Sequence, residues 1–336
     1  MSNHTSSLEA SHFPVMLNEV LQIIAPIIGG KYIDCTFGGG GYSKEILNIP
    51  QTKVIAIDRD KKIKLFATKL EKKFPKKFKF FEIKFSQLET ISTENVDAII
   101  FDLGLSSIQL DDLTRGFSFR SDRKLDMTMG LNQISALEVV NNLNEKDLKL
   151  IIKYLGDEKE ASKIAKNIVK QRKKKKITKT TDLVKIIERS KRLNFSKKIN
   201  PSTKTFQALR IFVNQEISEL INGLINAAKV LKKDGVLAVV TFHSLEDKIV
   251  KYFFRSLSEH KSVSRYQPEE IHEEILFNLL QKKPIVPSSL ELKENPPSRS
   301  AKLRCLIKKE NFYDFKTDIL DKFKDLIEIE NLGLNL

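Results

Sequence analysis

Two apolar runs that each end in an aspartate constrain the fold of this chain more than any other feature. Residues 53–58 read Lys-Val-Ile-Ala-Ile-Asp, and residues 96–102 read Val-Asp-Ala-Ile-Ile-Phe-Asp. Nearly continuous apolar runs are typical of parallel strands buried on both faces. Helical spacing separates such runs, and further short strands are predicted at residues 32–34 and 79–83. The alternation predicts a Rossmann-like, doubly wound α/β sheet with both aspartates at its ligand-binding edge.

The alternation stops after residue 113 and resumes only at the apolar run of residues 235–241. The chain between them shows helical spacing at residues 136–140, 145–155, 158–171 and 181–190. We therefore predict an inserted all-α domain at residues 114–204, within a discontinuous α/β domain that comprises residues 12–113 and 205–336. The polar residues 1–11 are predicted to be a disordered tail.

The chain after the predicted insertion returns to the sheet. One long helix is expected there, with an apolar face that runs from Phe206 to Ile225. Residues 261–297 contain several prolines and little periodicity, so they are predicted to be loop. A last strand at residues 301–307 and a helix around residues 318–329 complete the prediction.

Charge and cysteine content narrow the class of protein. The 58 Lys+Arg against 43 Asp+Glu give a net charge of +15, which makes a polyanion such as nucleic acid a natural partner, although biased codon usage would also enrich lysine. The basic run at residues 173–176 is interpreted either as a phosphate clamp or as a solvated helix end. Two cysteines and no apolar segment of membrane-spanning length fit a cytoplasmic protein. The scattered histidines do not predict a metal site.

A glycine run at residues 38–41 follows the first predicted strand. The dinucleotide pattern G-x-G-x-x-G fails because Ser43 stands where its third glycine belongs, and the Walker A ending is also missing. The order of Asp34, Gly38 and Gly40 matches instead the loop of S-adenosylmethionine (SAM) methyltransferases. Asp58, at the end of the next strand, is placed to accept hydrogen bonds from both ribose hydroxyls. The alternative is that Asp58 caps the following helix.

Several collinear segments resemble one family, the bacterial 16S ribosomal RNA cytosine-N4 methyltransferases of the MraW or RsmH type. Three of them read Tyr32-Ile-Asp-Cys-Thr-Phe-Gly-Gly-Gly-Gly-Tyr-Ser43, Phe101-Asp-Leu-Gly-Leu-Ser-Ser-Ile-Gln-Leu-Asp-Asp112 and Phe242-His-Ser-Leu-Glu-Asp-Lys-Ile-Val250. The others are residues 12–19, 56–60, 115–119, 125–127, 205–214 and 295–300. The resemblance covers most of the chain, and it implies a SAM methyltransferase fold that acts on a cytidine in the decoding region of 16S ribosomal RNA.

The resemblance also implies a set of site residues. The cofactor contacts carried over by position are Gly40, Gly41, Tyr42, Asp58, Phe85, Asp102 and Gln109. Three positions depart from the family pattern, since Tyr42 replaces the usual His, Ile108 replaces Pro and Gly130 replaces Asp. Tyr42 can still offer its backbone N–H, so cofactor binding is expected to be kept. Ile108 and Gly130 are expected to alter loop stiffness near the substrate.

The target amine is a poor nucleophile because its lone pair is delocalised into the cytosine ring. We hypothesise that Asp102 orients the amine or the sulfonium, with Ser106 or Ser107 as a further hydrogen-bond partner. The alternative, that Asp102 only binds the amino group of the cofactor, stays open. The segment has no cysteine, which excludes the nucleophile of a cytosine-C5 enzyme. His243 is interpreted as a substrate-binding or structural residue rather than a general base, and Asp126 as a second substrate candidate.

RNA is expected to lie between the cofactor crevice and the insertion, with its target base unstacked. The phosphate-contact candidates are Arg115, Arg120, Arg123, Arg210 and residues 173–176. The expected partner is 16S ribosomal RNA, within the small ribosomal subunit, and a homodimer is left open. The alternative function is SAM-dependent methylation of another RNA base or of a protein side chain.

Overall fold

A computed structural model describes residues 14–91, 95–119, 122–131, 134–191, 200–260, 275–312 and 314–332. The predicted tail at residues 1–11 and Arg120 lie outside the described residues. Seven strands are found in the described ranges: β1 Lys31–Asp34, β2 Lys53–Ile57, β3 Phe78–Phe81, β4 Val96–Asp102, β5 Leu231–Thr241, β6 Phe277–Leu279 and β7 Lys302–Lys308.

The α-helices vary in length from single turns to about four turns. In chain order they are α1 Leu17–Ile24, α2 Gly41–Leu47, α3 Lys64–Lys73, α4 Ser107–Asp111, α5 Ala136–Asn142, α6 Glu145–Tyr154, α7 Ala161–Arg172, α8 Thr180–Ser190, α9 Thr203–Asn214, α10 Glu216–Val230, α11 Ser244–Ser258, α12 Ser289–Glu294, α13 Ile319–Lys322 and α14 Lys324–Asn331. Within the described residues, no helix is long and apolar enough to span a membrane.

The strands form one mixed sheet in the order β3-β2-β1-β4-β5-β7-β6. Strands β1 to β5 are parallel, whereas β7 runs antiparallel to β5, and β6 runs antiparallel to β7. The chain moves outward from β1 to β3 and then returns to the other side of β1 at β4. The carboxyl ends of β1 and β4 therefore flank the point where the strand order reverses, which is where open α/β sheets bind ligands.

One face of the central strands forms an apolar core. Val54, Ala56, Ala98 and Ile100 alternate along β2 and β4, and they belong to one buried cluster with side chains of the first three helices. Those partners are Val20 of α1, Ile46 and Leu47 of α2, and Ala67 and Leu70 of α3. The glycine-rich turn between β1 and α2 is therefore held by packing on both of its sides.

The chain forms two compact units. The first comprises the described residues within Met1–Glu82, Glu89–Ile108 and Ala227–Phe315, and it contains the whole sheet. The second comprises those within Ile83–Leu88, Gln109–Asn226 and Lys316–Leu336, and it contains α5 to α9, most of α10, and α13 and α14. It includes more of the chain than residues 114–204. The division into a methyltransferase domain and a substrate-recognition insertion stays a prediction.

The second unit has its own core and its own polar anchors. Its helix α6 packs against α7, α9 and α14. The Glu330 carboxylate in α14 accepts the N–H of Ile217 at 2.7 Å and that of Ser218 at 2.8 Å. Because the first N–H groups of a helix have no partner within the helix, Glu330 satisfies the amino end of α10. Burial raises the pKa of Glu330 to about 7.

Two sequence predictions about elements were wrong. The long helix after Pro201 is two helices, because Gln215 adopts φ 51° and its N–H bonds back to Phe212, which ends α9. The predicted loop at residues 261–297 contains β6 and α12 in its described part. The short strand β6 is held by its pairing with β7, a tertiary contact that has no local signature.

Candidate functional site

The turn between β1 and α2 requires glycine at two positions. Gly40 has φ 77°, and a Cβ there would lie 2.7 Å from ring atoms of Phe37. A Cβ on Gly41 would lie 2.6 Å from Cγ of Pro14. The first N–H groups of α2 have no acceptor within the helix. The turn therefore exposes main-chain donors at a place that a ligand can approach closely.

Asp34 lies buried beneath this turn. Its Oδ2 accepts the Ser43 hydroxyl at 2.7 Å, and its Oδ1 accepts the N–H of Thr36 at 3.3 Å. Burial raises the pKa of Asp34 to about 6. Asp34 is fully buried, and both of its oxygens accept from the two ends of the turn, so Asp34 holds the shape of the turn rather than a ligand.

Asp58 follows β2 and faces the same turn. Its Oδ2 accepts the N–H of Gly38 at 2.9 Å, and its Oδ1 accepts the N–H of Asp60 at 2.9 Å. Burial raises the pKa of Asp58 to about 6. The cap of the following helical turn is Asp60, whose side chain accepts the N–H of Lys62. The alternative role of Asp58 as a helix cap is therefore filled by another residue.

Asp102 ends β4, and one oxygen of its carboxyl group lacks a partner among the described residues. Its backbone N–H donates to Thr36 Oγ1 at 2.6 Å, which fixes the end of the strand. Its Oδ1 is buried, and it has no hydrogen-bond partner among the described residues. Burial, together with the carboxylates of Asp34, Glu246 and Glu291, raises the pKa of Asp102 well above its usual range. A buried acid without a counter-charge is costly, and a cationic or hydrogen-donating ligand would relieve that cost.

Ser106 lies beside the glycine turn. Its Cβ would be 3.6 Å from a Cβ built on Gly38, so the loop after β4 contacts the loop after β1. Ser107 begins α4, and its side chain lies outside the described part of the chain. The first unit therefore brings Gly38, Gly40, Asp58, Asp102 and Ser106 to one edge of the sheet.

Two of the departures from the family pattern have a structural explanation. The Tyr42 side chain is 3 % exposed, and its hydroxyl donates to the carbonyl of Val15. The ring therefore belongs to the core, and only the backbone of Tyr42 is available at the turn. Gly130 has φ 81°, a conformation that glycine adopts without strain. Ile108 packs, partly buried, against the core of the first unit.

His243 serves as the N-cap of α11. Its Nδ1 accepts the N–H of Glu246 at 3.3 Å, and its Nε2 lies 3.0 Å from Oε1 of Glu246. Glu246 in turn accepts the N–H of Phe242 at 2.8 Å. Residues 244–247 have capping-box spacing in the sequence, but the reciprocal capping arrangement of the structure lies one residue earlier, at His243 and Glu246. These contacts favour the structural interpretation of His243, and its contact with substrate stays a prediction.

The remaining site candidates belong to the second unit. Phe85 is half-buried in the helical turn of residues 85–90, and Gln109 in α4 is 6 % exposed. Their contacts with a cofactor stay predictions. Arg210 donates to both carboxylate oxygens of Glu216, at 2.8 and 2.7 Å, so its guanidinium group already has an anionic partner. The lysines at residues 173–176 follow the end of α7 and are exposed.

Arg115 and Asp126 support the same loop of the second unit. Arg115 donates from Nη2 to the carbonyl of Thr128 at 2.8 Å, and its guanidinium group lies 5.1 Å from the Phe117 ring centroid. Asp126 Oδ1 accepts both the N–H and the hydroxyl of Thr128, at 3.0 and 2.6 Å. Both candidates therefore have structural partners, and their contacts with substrate stay predictions.

Asn214 is a further residue of this region, and the sequence analysis gave it no role. Its Oδ1 accepts the N–H of Met129 at 2.9 Å, and its Nδ2 donates to the carbonyls of Met127 and Arg210, at 2.9 and 2.8 Å. The side chain is fully buried. The sequence signal for this anchoring role was a polar residue at the end of the apolar motif of residues 205–214.

Replacing Asn214 by alanine is expected to lower the free energy of unfolding by about 3 kcal/mol, because buried main-chain groups of Met127 and Met129 would lose their partner. Asn222→Ala is the matched control, since its exposed amide donates to the Ser218 carbonyl within α10 and to no other group of the described residues. Urea unfolding of both variants measures the difference. Equal stabilities would show that Asn214 does not anchor the loop.

A model of the MraW methylase family matches residues 9–309. Ribosomal RNA small subunit methyltransferase H of Ehrlichia canis is 44 % identical over 302 residues, which cover 88 % of this chain and 99 % of that protein. The protein of the same description from Bartonella tribocorum is 45 % identical over 293 residues, which cover 87 % and 88 %.

Solved structures give weaker matches. The crystal structure of an rRNA methylase from Streptococcus thermophilus matches with a TM-score of 0.41 and 10 % identity, over 89 % of this chain and 98 % of that one. A likeness at this level decides nothing about the function of this chain.

Proposed function

Because this chain belongs to the MraW methylase family, we propose that it methylates the exocyclic N4 amine of a cytidine in the decoding region of 16S ribosomal RNA. The family and its relatives support a SAM-dependent methyltransferase that acts on small-subunit ribosomal RNA. The choice of base and position is our proposal. The observation that carries the chemistry is the buried Oδ1 of Asp102, which has no hydrogen-bond partner among the described residues.

The residues of the first unit fit S-adenosylmethionine. The glycine turn admits a close ligand and offers main-chain N–H groups, and Asp58 is a half-buried acceptor for ribose hydroxyls. Asp102 supplies a carboxylate for the cationic amino acid end of the cofactor. When bound, the cofactor supplies an electrophilic methyl group on a positively charged sulfur. The contribution of the chain is to orient both reactants and to stabilise positive charge.

Methyl transfer requires the amine to present its lone pair. We propose that the Asp102 carboxylate accepts an amine N–H, which turns the lone pair out of conjugation with the ring and toward the methyl group. Ser106 is the candidate for a second hydrogen bond. A strong base is not required, since the nitrogen becomes acidic as it gains the methyl group and releases its proton to water. Asp102 is therefore proposed to act on the amine as well as on the cofactor.

The affinity for SAM is expected to rise with pH between about pH 5 and pH 7, by about tenfold. Burial raises the pKa of Asp58 to about 6, and ribose hydroxyls donate to its ionised form. Binding therefore releases a proton, so affinity increases as pH rises through this pKa. Calorimetry across this range measures the effect.

The control for this pH dependence is Asp58→Asn. The pKa of Asp34 is also about 6, but Asp34 holds the turn and is unchanged in this variant. The variant is expected to bind SAM more weakly and with a flatter pH profile. An unchanged pH profile in Asp58→Asn would contradict the ribose-binding role.

The alternative function is methylation of another RNA base or of a protein side chain by the same fold. Incubating the protein with SAM labelled in its methyl group and with whole ribosomes that lack the modification separates these substrates. The proposal expects label in small-subunit RNA. Label in ribosomal proteins or in large-subunit RNA would favour the alternative.

A further inference from the structure

A cavity of about 360 Å³ lies in the first unit at the amino ends of β1, β2 and β3. The proposed catalytic edge lies at the opposite, carboxyl ends of the same strands. Lys31 begins β1 and Asp34 ends it, and Lys53 begins β2, which Asp58 follows. Because a strand rises about 3.3 Å per residue, the two edges are separated by roughly 10 to 16 Å. The cavity is therefore distinct from the proposed cofactor site.

The strand register places lysines in a row on one face of the sheet. Lys31 is paired with Lys53, and the carbonyl of Lys77 accepts the N–H of Val54 beside them. Two residues further along, Ile33 is paired with Ile55, and Ile55 with Lys79. Since every second residue of a strand faces the same side, the lysines border the side chain of Ile55, which is partly exposed, whereas Ile33 is 1 % exposed and belongs to the core.

The electrostatics of this cavity favour an anion. Lys76 also lines it, which brings the number of lysines to five. In the part of the chain that the structure describes, no lining residue is acidic. The nearby carboxylate of Asp97 accepts the N–H of Lys31 and lies 2.6 Å from Nζ of Lys232, so its charge is already offset. Like charges on directly opposed positions are unfavourable, and a bound anion would relieve their repulsion.

We propose that this lysine-bordered cavity binds a single-stranded segment of RNA, with phosphates on the lysines and a base against the Ile55 side chain. This inference rests on the proposed function, because it gives the ribosomal RNA substrate a second contact away from the catalytic edge. Lysine ammonium groups bind phosphates as point charges, and the cavity volume suits a single nucleotide. The partly exposed Ile55 side chain distinguishes the site from a simple basic surface, since bases stack or pack on apolar groups.

The test compares two double variants that each remove two positive charges. Lys31→Gln with Lys53→Gln changes the cavity, whereas Lys69→Gln with Lys72→Gln changes exposed lysines on α3 of the same unit. The probe is a fluorescent single-stranded oligoribonucleotide, whose binding is followed by anisotropy over a series of salt concentrations. The cavity variant is expected to bind about tenfold more weakly, with a salt slope lower by about 1.4, because each lost phosphate contact contributes about 0.7. The α3 variant is expected to bind nearly as the unaltered protein does.

Equal losses in both variants would overturn the proposal, since they would show that net charge alone attracts RNA. Unchanged RNA binding by the cavity variant, together with weakened binding of poly-glutamate, would overturn it in favour of an acidic protein partner. SAM affinity, measured in parallel, is expected to be unchanged in both variants. The oligonucleotide assay requires no methyl transfer, so its failure is distinguishable from failure of the unaltered protein to methylate ribosomal RNA.

Discussion

Replacing Asp102 by alanine is expected to lower kcat for methyl transfer by at least about 100-fold at saturating cofactor, without loss of the fold. The carboxyl group is the only part of the residue removed, and its Oδ1 has no partner among the described residues. Because an unpartnered buried acid costs stability, the variant is expected to unfold at the same urea concentration or a higher one. Loss of turnover with retained stability would show that the Asp102 carboxyl group serves the reaction and not the fold.

The variant Asp102→Asn separates the two roles that remain open. It keeps the size of the side chain and one acceptor but removes the charge. If Asp102 only binds the amino group of the cofactor, the Kd for SAM rises and kcat at saturation stays normal. Our account expects kcat to fall in both variants. Near-normal turnover of Asp102→Ala at saturating SAM would contradict it. Asp97→Asn, in the same strand, is the control for removing a carboxylate.

Replacing Gly40 by alanine is expected to weaken SAM binding by at least about 100-fold and to lower the free energy of unfolding by about 3 kcal/mol. The new Cβ would lie 2.7 Å from ring atoms of Phe37. That ring cannot move away easily, since it is 3 % exposed and its centroid lies 5.5 Å from those of Phe78 and Phe80. The turn must therefore shift, which moves its N–H groups. Calorimetry with SAM and urea unfolding measure the two effects.

Gly29 provides a matched control for this substitution. It has φ 78°, close to the φ of Gly40, but a Cβ there would meet nothing within 4 Å. Gly29→Ala therefore includes the backbone strain without the collision, and it is expected to cost only about 1 kcal/mol and to leave SAM binding unchanged. If the two variants behave alike, the close approach of Phe37 does not shape the cofactor turn.

The strands of the parallel sheet were predictable because burial on both faces demands continuous apolar runs. The runs at residues 53–58 and 96–102 correspond to β2 and β4 with differences of one residue or less. The break between α9 and α10 was not predictable, because the apolar spacing continues across Gln215 and glutamine carries no preference for a positive φ. Local pattern thus determined the elements, whereas tertiary contacts determined where some of them end.

The positions of the main site residues were predictable from the sequence, as most strands were, but their contacts were not. The order of aspartate and glycines indicated a cofactor turn, and Asp58 could be placed at the end of its strand from the sequence. The partners of each group were not predictable, since they depend on turn geometry and on tertiary contacts. Arg210 illustrates this limit, because its bidentate contact with Glu216 depends on the turn between two helices. The burial of the Tyr42 ring in the core was likewise not predictable, because it depends on the contact of its hydroxyl with the carbonyl of Val15.

The most direct test of the account is the identity of the methylated nucleoside. Small ribosomal subunits from a strain that lacks the modification are incubated with the protein and with SAM that carries a deuterated methyl group, and the RNA is digested for mass spectrometry. The account expects deuterated N4-methylcytidine from the decoding region, absent with Asp102→Ala. Deuterated methyl in another nucleoside, or none despite measurable SAM binding, would contradict the proposed substrate.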